Sequence, residues 1–521
     1  MTKTITARAL RAFWAEGREI ALLDVREEGR FAEAHPLFAL SVPVSEIETA
    51  LPALVPRLSA PVVVYDAGEG YAERAAGRIA ALGYRDVAIL EGGLPAYARV
   101  GEVYRDVNVP SKAFGELVEA IRHTPSLPAN EVRRLLDEED VVVVDARRFE
   151  EFATMSIPGG RSLPGGELVY RIRDAAPSPE TLVVVNCAGR TRSIIGTQSL
   201  VNAGLPNRVV ALRNGTIGWT LEGLALETRR TERVAAPSAE ARAWARERAG
   251  AWAARVGVRV IGADDLARFR DEAETRTLYT LDVRDPAEHA LGHPAGFVSA
   301  PGGQLVQATD EWLGVRGARV VLSDDDGVRA RMAASWLFQM GWDVSVLAED
   351  AALPADAPRP EPARVALPDG PAVAPRDLDA GAAVVDLARS PAYRRGHVPG
   401  AWFASGPELA RDLAGLPGDG PVVLTSPDGR VAAANLAEAR AATARPVRLL
   451  AGGTRAWTEA GLPLETEARW LSPPDDVYKR PYEGTDNARA NMQAYIDWEL
   501  QLVAQLANDG VARFHVARDP G

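Results

Sequence analysis

Short apolar strands alternate with helical stretches along most of this 521-residue chain. The apolar runs, among them ALLD (21–24), VVVVD (141–145) and LVVVN (182–186), end in a polar or acidic residue. Because strands that alternate with helices are joined by right-handed crossovers, this pattern predicts mainly parallel sheets flanked by helices. The predicted fold class is therefore α/β.

One plan of strands and turns occurs four times. Each copy opens with an apolar strand that ends in an acidic residue, at Asp24, Asp145, Asp282 and Asp386. A second apolar strand then leads into a turn, where the equivalent positions hold Asp66, Cys187, Asp324 and Ser426. The two positions are separated by 42 residues in the first three copies and by 40 in the fourth. Such regular spacing predicts four copies of one unit.

Two more motifs accompany the repeat. Between the two strands lies a turn that reads GHVPGA at 396–401, GHPAG at 292–296, AHPLF at 34–38 and SIPGG at 156–160. A third apolar strand ends in a glycine-rich turn, as in AILEGGLPAY, VVALRNGTIGW and VRLLAGGTRAW; the third copy, VSVLAEDAAL, lacks the glycines. The motifs divide the chain into four domains, 1–109, 110–235, 236–358 and 359–470, and a C-terminal tail, 471–521.

The connecting segments differ in composition. Residues 110–127 link the first two domains, and the Ala/Arg-rich stretch after Ala236 is predicted to be a connecting helix. Residues 352–375 are rich in proline and are expected to be extended. The tail is expected to contain a helix that ends at Gly510 and acts as a strap across the domains; a dimer contact is the alternative. Its apolar face is predicted from Met492, Ile496, Leu500, Val503 and Leu506.

Composition narrows the classes of protein. The chain is 47% hydrophobic and 25% charged, and its 59 basic and 71 acidic residues give a net charge of −12, which argues against binding to nucleic acid or to anionic membranes. A single cysteine excludes an internal disulfide and metal sites built from several thiolates. No apolar run reaches membrane-spanning length, and the N-terminus lacks a signal-peptide pattern. We therefore expect a cytoplasmic protein.

Cys187 is the candidate nucleophile. It follows a buried-strand pattern and opens the loop CAGRTR (187–192), after which a helix begins. Such a turn directs backbone N–H groups and the positive end of a helix dipole at the thiol. Arg190 and Arg192 add positive charge, so we expect the thiol to ionise more easily than a free cysteine and to attract anions. An inert buried cysteine is the alternative, but the polar turn favours a reactive thiolate.

The motifs together resemble those of the rhodanese family of sulfurtransferases. The resemblance rests on the D-V-R opening, the G-H-x-P-G-A turn, the cysteine loop after a buried strand and the L-x-G-G-x-x-A-W ending. It covers nearly the whole chain as four rhodanese-like domains plus the tail. It implies that only the second domain, which has the cysteine, is catalytic. This domain departs from the family pattern at Ser156, in place of the turn histidine, and at Asn214–Gly215, in place of the double glycine.

The resemblance also implies a reaction. Sulfane sulfur would pass from thiosulfate, or a similar small anionic donor, through a Cys187 persulfide to cyanide, a thiol or an acceptor protein, without a cofactor or metal. The expected substrate-binding residues form the loop after the cysteine: Ala188, Gly189, Arg190, Thr191, Arg192 and Ser193. Ser193 is equally placed to cap the following helix. Asp145 is expected to support the loop rather than to take part in the chemistry.

Three alternatives stay open from the sequence. Mercaptopyruvate is a second possible donor, although the two arginines suit the more highly charged thiosulfate. The related phosphatases and arsenate reductases have a loop one residue longer, which makes that activity less favoured. A non-catalytic scaffold, or an array that docks sulfur carriers, would explain why three domains lack the cysteine.

Overall fold

The computed structural model describes residues 3–351, 367–368 and 370–518. The chain forms two compact units. One consists of residues up to 10, 20–107 and 361–478, and the other of residues 11–19, 108–360 and 479–521, each within the described part. The first unit therefore holds the first and fourth repeats, and the second unit holds the second and third repeats with most of the tail.

Each repeat forms its own sheet, and every strand ladder among the described residues is parallel. In all four sheets the strand that leads to Asp66, Cys187, Asp324 or Ser426 lies in the interior of the sheet. The predicted architecture, four tandem α/β domains followed by a helical tail, is confirmed. Because the strands are parallel, their carboxyl ends meet at one edge, which is where ligands bind in such sheets.

In the first unit, the strands of the first sheet in spatial order are Lys3–Ile5, Val87–Leu90, Val62–Tyr65, Ala21–Asp24 and Ala39–Ser41. The α-helices of the first repeat are Ala7–Glu16, Glu28–Glu33, Ile47–Leu54, Tyr71–Ala81 and Gly93–Tyr97. The strands of the fourth sheet are Ala372–Val373, Val447–Leu450, Val422–Thr425, Ala383–Asp386, Trp402–Phe403 and Arg469–Trp470. Its α-helices are Ser390–Arg395, Leu409–Ala414, Arg430–Ala434, Leu436–Ala442 and Gly453–Glu459.

In the second unit, the strands of the second sheet are Ser126–Leu127, Val209–Leu212, Leu182–Asn186, Val141–Asp145 and Arg161–Ser162. Its α-helices are Ala129–Glu138, Phe149–Thr154, Leu168–Ala175, Thr191–Asn202 and Gly215–Leu221. The strands of the third sheet are Arg259–Ile261, Asp343–Leu347, Arg319–Ser323, Leu278–Asp282 and Val298–Ser299. Its α-helices are Ala263–Asp271, Pro286–Leu291, Gly302–Gln307 and Arg329–Gln339.

The central strand of the second domain, Leu182–Asn186, is buried along its whole length. Val183 and Val185 pack into the core on one face of the sheet, and Val184 packs into the core on the other. A strand that is covered on both faces reads as a continuous apolar run, which is the pattern seen in the sequence. The strand therefore holds the start of the cysteine loop rigidly between two cores.

The connecting segments are largely helical. Residues 110–127, treated as a linker, contain the helix Val109–Arg122, here called the linker helix. The predicted connecting helix is confirmed as Ala239–Val256, and Ser238 caps it by accepting a hydrogen bond from the N–H of Ala241. Most of the proline-rich segment, 352–366 and 369, lies outside the described residues.

The tail has two helices, Arg489–Glu499 and Leu502–Asp509, and Gly510 ends the second as predicted. The prediction of one continuous apolar face is wrong at Leu500, which is 55% exposed because the chain leaves the first helix at that residue. The tail packs against the linker helix, and the N–H of His515 donates to the carbonyl of Gln339. It therefore contacts both the second and the third domains, as a strap would. None of the described helices is both long and apolar enough to cross a membrane.

Candidate active site

The cysteine loop joins the central strand of the second sheet to a helix. Cys187 comes directly after Leu182–Asn186, and the helix begins at Thr191, so that only Ala188, Gly189 and Arg190 separate the thiol-bearing residue from helical backbone. The first turn of a helix has N–H groups without intrahelical partners, and these point back towards the loop. The thiol consequently lies where the sequence predicted, at the start of a helix.

A neighbouring turn fixes the backbone of this loop. The N–H of Thr216 donates to the carbonyl of Cys187 at 2.9 Å, and the N–H of Ile217 donates to that of Ala188 at 3.0 Å. Gly215 approaches so closely that a Cβ there would lie 2.2 Å from the Cys187 carbonyl oxygen. Asn214 adopts a φ of +61°, which asparagine tolerates better than most residues. The Asn-Gly pair therefore provides the same turn as a double glycine.

The Cys187 thiol is buried, with the residue 2% exposed. Its Sγ lies 3.4 Å from the hydroxyl oxygen of Ser193, which itself donates to the carbonyl of Arg190 at 2.8 Å. Burial raises the pKa of the Cys187 thiol, and this effect outweighs the opposing effects of Arg192 and of the hydrogen bonds with Ser193. The prediction of an easily ionised thiol is thus wrong for this structure, because desolvation disfavours the thiolate.

Ser193 and Thr191 lie on the first turn of the helix. Ser193 places its hydroxyl between the thiol and the Arg190 carbonyl, and the N-cap residue, Arg190, makes no side-chain cap. The Thr191 hydroxyl is buried and has no hydrogen-bond partner among the described residues. Ser193 is therefore the loop hydroxyl that contacts the sulfur.

Both arginines of the loop are ion-paired. Arg192 forms a two-point pair with Glu151, with N···O distances of 2.7 and 2.9 Å. Burial alone would raise the pKa of Glu151, but Arg192 brings it well below its usual range. Arg190 forms a two-point pair with Glu116, at 2.7 and 2.8 Å, and also bonds Glu119. The positive charge of each guanidinium is therefore balanced by carboxylate partners. Of the two arginines, Arg192 does more to lower the pKa of the thiol.

The partners of Arg190 were missed by the sequence reasoning. Glu116 and Glu119 lie on the linker helix, in a segment that was treated only as a connection. Their spacing of three residues would have placed both on one face of a helix, had a helix been predicted there. The linker helix is accordingly part of the site.

Asp145 lies beneath the loop, at the end of its strand. One of its oxygens accepts from the backbone N–H and Nε of Arg147, and the other accepts from Nη2 of Arg147 at 2.8 Å and from the amide of Asn186 at 2.7 Å. These bonds tie the Asp145 strand to the residue that precedes Cys187. All of these partners are groups of Arg147 and Asn186, so Asp145 supports the loop through its neighbours.

The tail helix Arg489–Glu499 covers the outer side of the loop. A Cβ on Gly189 would lie 3.1 Å from Cε1 of Tyr495 and 3.3 Å from Oε2 of Glu499. Nearby, the ammonium group of Lys112 lies 5.1 to 5.7 Å from the ring centroids of Tyr482, Tyr495 and Trp498. The tail was predicted only as a strap, and its contribution to the site has no local signal in the sequence.

A small apolar cavity of about 40 Å³ lies behind the start of the helix. Thr191 and Arg192 contribute to its wall, but Cys187 does not. Because the thiol is absent from its lining, this cavity is separate from the site of chemistry. Within the part of the chain that the structure describes, no group of three His, Cys, Asp or Glu side chains is placed to hold a metal ion.

The other three domains fill the equivalent loop with their own oxygen acceptors. In each, the N–H six residues further along donates to the side chain: Ala72 to Asp66 at 2.9 Å, Ala330 to Asp324 at 2.8 Å and Ala432 to Ser426 at 3.3 Å. In the second domain the same offset leads from Cys187 to Ser193. The four loops therefore share one amide cradle, defined by these N–H groups at the start of the helix, and only the second presents sulfur to it.

Comparisons with known proteins agree with this repetition. A family model of the rhodanese-like domain matches four stretches, residues 6–99, 128–222, 263–350 and 371–460. The chain is similar over its whole length to a thiosulfate sulfurtransferase from Pseudomonas aeruginosa of known crystal structure. The two are 52% identical with a TM-score of 0.94, and the match covers 99% of this chain and 100% of that one. A sulfurtransferase from Allochromatium vinosum is 35% identical over 92 residues, which are 18% of this chain and 83% of the relative.

Proposed function

Because this chain belongs to the rhodanese family, with four rhodanese-like domains, we propose that it transfers sulfane sulfur from thiosulfate through a persulfide on Cys187. The chemistry is assigned to the second domain, residues 110–235. The single observation that carries the proposal is the amide cradle: three domains fill it with their own oxygen atoms, whereas the second presents a thiol.

The first half-reaction is a displacement at sulfur. The Cys187 thiolate attacks the outer sulfur of thiosulfate, and a new S–S bond forms while the bond from that sulfur to the sulfonate sulfur breaks. Sulfite leaves with the bonding electron pair, and a cysteine persulfide anion remains. This is covalent catalysis in two steps, with the enzyme carrying the transferred atom.

The loop stabilises charge at the terminal sulfur. The N–H groups from Ala188 to Ser193 are fixed donors, as in an oxyanion hole, and the hydroxyl of Ser193 lies beside the sulfur. Since the buried thiol has a raised pKa, its proton must leave before or during attack; a dianionic donor can accept it and depart as hydrogen sulfite. Arg192, held by Glu151, contributes the nearest fixed positive charge.

The second half-reaction restores the cysteine. A nucleophilic acceptor, cyanide or a thiolate, attacks the terminal sulfur of the persulfide. The S–S bond of the persulfide breaks, its electron pair returns to Cys187, and the product is thiocyanate or a new persulfide. No oxidant or reductant is consumed, which agrees with a site that needs no redox cofactor.

Three considerations favour thiosulfate as the substrate. The similar protein from Pseudomonas aeruginosa is a thiosulfate sulfurtransferase, and Arg192 acts on the thiol with a positive charge although it is paired with Glu151. The loop from Cys187 also reaches its second arginine after five residues, which is short for a phosphate site. Mercaptopyruvate as a donor, and then phosphate esters as substrates of a different reaction, are the next compounds to test.

The test is the intact mass of the protein after incubation with thiosulfate, measured before and after dithiothreitol. We expect the native protein to gain one sulfur atom that dithiothreitol removes, and Cys187→Ser to gain none. Asp324→Ser serves as a matched control, because it alters the equivalent loop of another domain and should gain sulfur like the native protein. No gain in native protein whose Cys187 can be alkylated after unfolding would overturn the proposal.

A further inference from the structure

The tail supplies a wall of the active site. Its helix Arg489–Glu499 approaches the cysteine loop at Gly189, where only a hydrogen atom separates the loop backbone from Tyr495 and Glu499. A Cβ at position 189 would lie 3.1 Å from Tyr495, which is close enough that the tyrosine side chain would have to shift. The glycine in the cysteine loop thus permits the close contact with the tail.

Glu499 carries an unused oxygen at this wall. The residue is fully buried, and its Oε1 accepts a hydrogen bond from the Tyr495 hydroxyl at 2.7 Å. Its Oε2 is buried without a hydrogen-bond partner among the described residues, and this is the oxygen closest to Gly189. A buried carboxyl oxygen without a partner is costly to the fold, and such groups occur where a ligand or a proton completes the set.

The surroundings of Glu499 favour its neutral form. Burial, and then the negative charge of Glu116, raise the pKa of Glu499 to about 8, against the opposing effects of Lys112, Tyr495 and Arg190. The charged and titratable groups that face it are these four and the thiol: Glu116 and Lys112 on the linker helix, Tyr495 on the tail, and Arg190 and Cys187 on the loop. Glu499 can therefore carry a proton on Oε2 at neutral pH.

We propose that Glu499 is a specificity-determining residue of the active site, which as a carboxylic acid donates a hydrogen bond to an anionic sulfur donor and as a carboxylate repels it. This inference rests on the proposed function, because thiosulfate is the dianion concerned. The neutral acid adds a donor to the amide cradle at the position where the tail closes the loop. The charged form adds a negative charge that acts on the Cys187 thiol and would also repel an incoming anion.

The experiment measures thiosulfate binding without turnover. In the Cys187→Ala background no thiol titrates and no side-chain oxygen can fill the cradle, so that calorimetry at about pH 6.5 and about pH 9.5 reports the remaining groups. We expect binding to weaken at least about tenfold at the higher pH, because Glu499 is then charged. In Cys187→Ala/Glu499→Gln the two affinities should agree within about twofold. Asp497→Asn, a change on the exposed face of the same helix, should behave like the parent.

A second variant, Tyr495→Phe, keeps the inference testable if Glu499→Gln does not fold. Tyr495→Phe keeps the ring but removes the hydroxyl that stabilises the charged form of Glu499, so the fall in affinity should move to higher pH. The inference is overturned if the fall persists unchanged in both Glu499→Gln and Tyr495→Phe. If instead the native protein acquires no persulfide and the Cys187→Ala variant binds no thiosulfate at either pH, the proposed function itself fails.

Discussion

The second and third domains lie in one unit and share an arginine–glutamate ion pair beside the loop. Arg329 stands at the same offset from Asp324 as Arg192 does from Cys187, and it pairs with Glu288 as Arg192 pairs with Glu151. The arginine–glutamate pair is therefore present in a domain that has no cysteine. An arginine at this position therefore occurs without a cysteine, and its presence alone does not indicate catalysis.

The two domains differ in what fills the cradle. Asp324 accepts hydrogen bonds from the N–H groups of Gly327, Val328 and Ala330, so its carboxyl group occupies the cradle from within. The third domain also lacks the Asn-Gly turn that anchors the loop of the second, and it has Glu349 and Asp350 in place of Asn214 and Gly215. The first and fourth domains also fill their cradles, but they keep this close approach: a Cβ on Gly93 would lie 2.4 Å from the Asp66 carbonyl oxygen, and one on Gly453 would lie 2.1 Å from that of Ser426. The loss of the turn is therefore specific to the third domain.

The largest effect on stability is expected when the arginine–glutamate pair is broken in the second or in the third domain. Arg329→Met leaves the buried Asp326 and the half-buried Glu288 without this cation, and Glu167 keeps only Arg171, so stability should fall by about 3–5 kcal/mol. Arg192→Met should also destabilise the protein, and it alone should raise the KM for thiosulfate, by about tenfold. Thermal unfolding and steady-state kinetics check both variants.

The exposed pair of Arg134 and Glu138 provides the control for those substitutions. Arg134→Met should change stability by less than about 0.5 kcal/mol, because exposed ion pairs contribute little. An equal rise in KM for Arg192→Met and Arg329→Met would contradict the division of roles between the two arginines.

The next largest effect is expected at the Asn214–Gly215 turn, which the second domain has and the third domain lacks. Gly215→Ala forces a Cβ to 2.2 Å from the Cys187 carbonyl, and we expect a loss of about 2–3 kcal/mol together with slower persulfide formation. Gly223→Ala is the matched control: its φ is also positive, at +76°, but a Cβ there meets nothing within 4 Å. The control should cost about 1 kcal/mol and leave the rate unchanged.

A smaller effect is expected at the hydroxyl beside the sulfur. Ser193→Ala removes a hydrogen-bonding partner of the thiol, worth about 1 kcal/mol, so the rate of persulfide formation should fall by about fivefold. Stopped-flow measurement of the half-reaction checks this. In the third domain the corresponding residue is already alanine, Ala330, and only its N–H is used. An unchanged rate would mean that the amides suffice in the second domain as well.

The smallest effect is a pH dependence that belongs to the third domain. Burial and Asp326 raise the pKa of Asp324 to about 8 in the folded protein, from 3.8. Between these values the folded state binds more protons than the unfolded state, so stability falls as pH rises through this window and levels off above it. Asp324→Ser introduces the residue that the fourth domain has at this position, and it should remove this slope, about 1.4 kcal/mol per pH unit, from the stability measured by thermal unfolding. A slope that persists in the variant would assign it to other groups.

The fold was predictable because its signals are local and repeated. The apolar run before Cys187 and its three equivalents define the central strands, and the constant spacing to Asp145 and its equivalents predicts the sheets. Contacts between distant segments gave no such signal. Arg190 meets Glu116 across 74 residues, and Gly189 meets Glu499 across 310, so neither partner follows from a local pattern.

The ionisation of Cys187 illustrates the same limit. The sequence places two arginines beside the thiol, and counting charges predicts an easily formed thiolate. The lowering effect of Arg192 on the pKa of the thiol was predicted correctly. The burial that outweighs this effect depends on how distant segments, including the tail, pack over the loop. The Leu500 prediction failed for a related reason, since one helical period was assumed across a break that the sequence does not mark.

The filled cradles also have a consequence for thermodynamic linkage. Asp66, Asp324 and Ser426 bond the cradle from within the chain, so the stability of those three domains does not depend on the concentration of a small anion in solution. Under the proposed function, the stability of the second domain depends on the concentration of the sulfur donor. A donor at one hundred times its Kd would add about 2.7 kcal/mol to the stability of that domain. Supply of the substrate would then set the resistance of the catalytic domain to heat, while its three relatives in the same chain keep theirs.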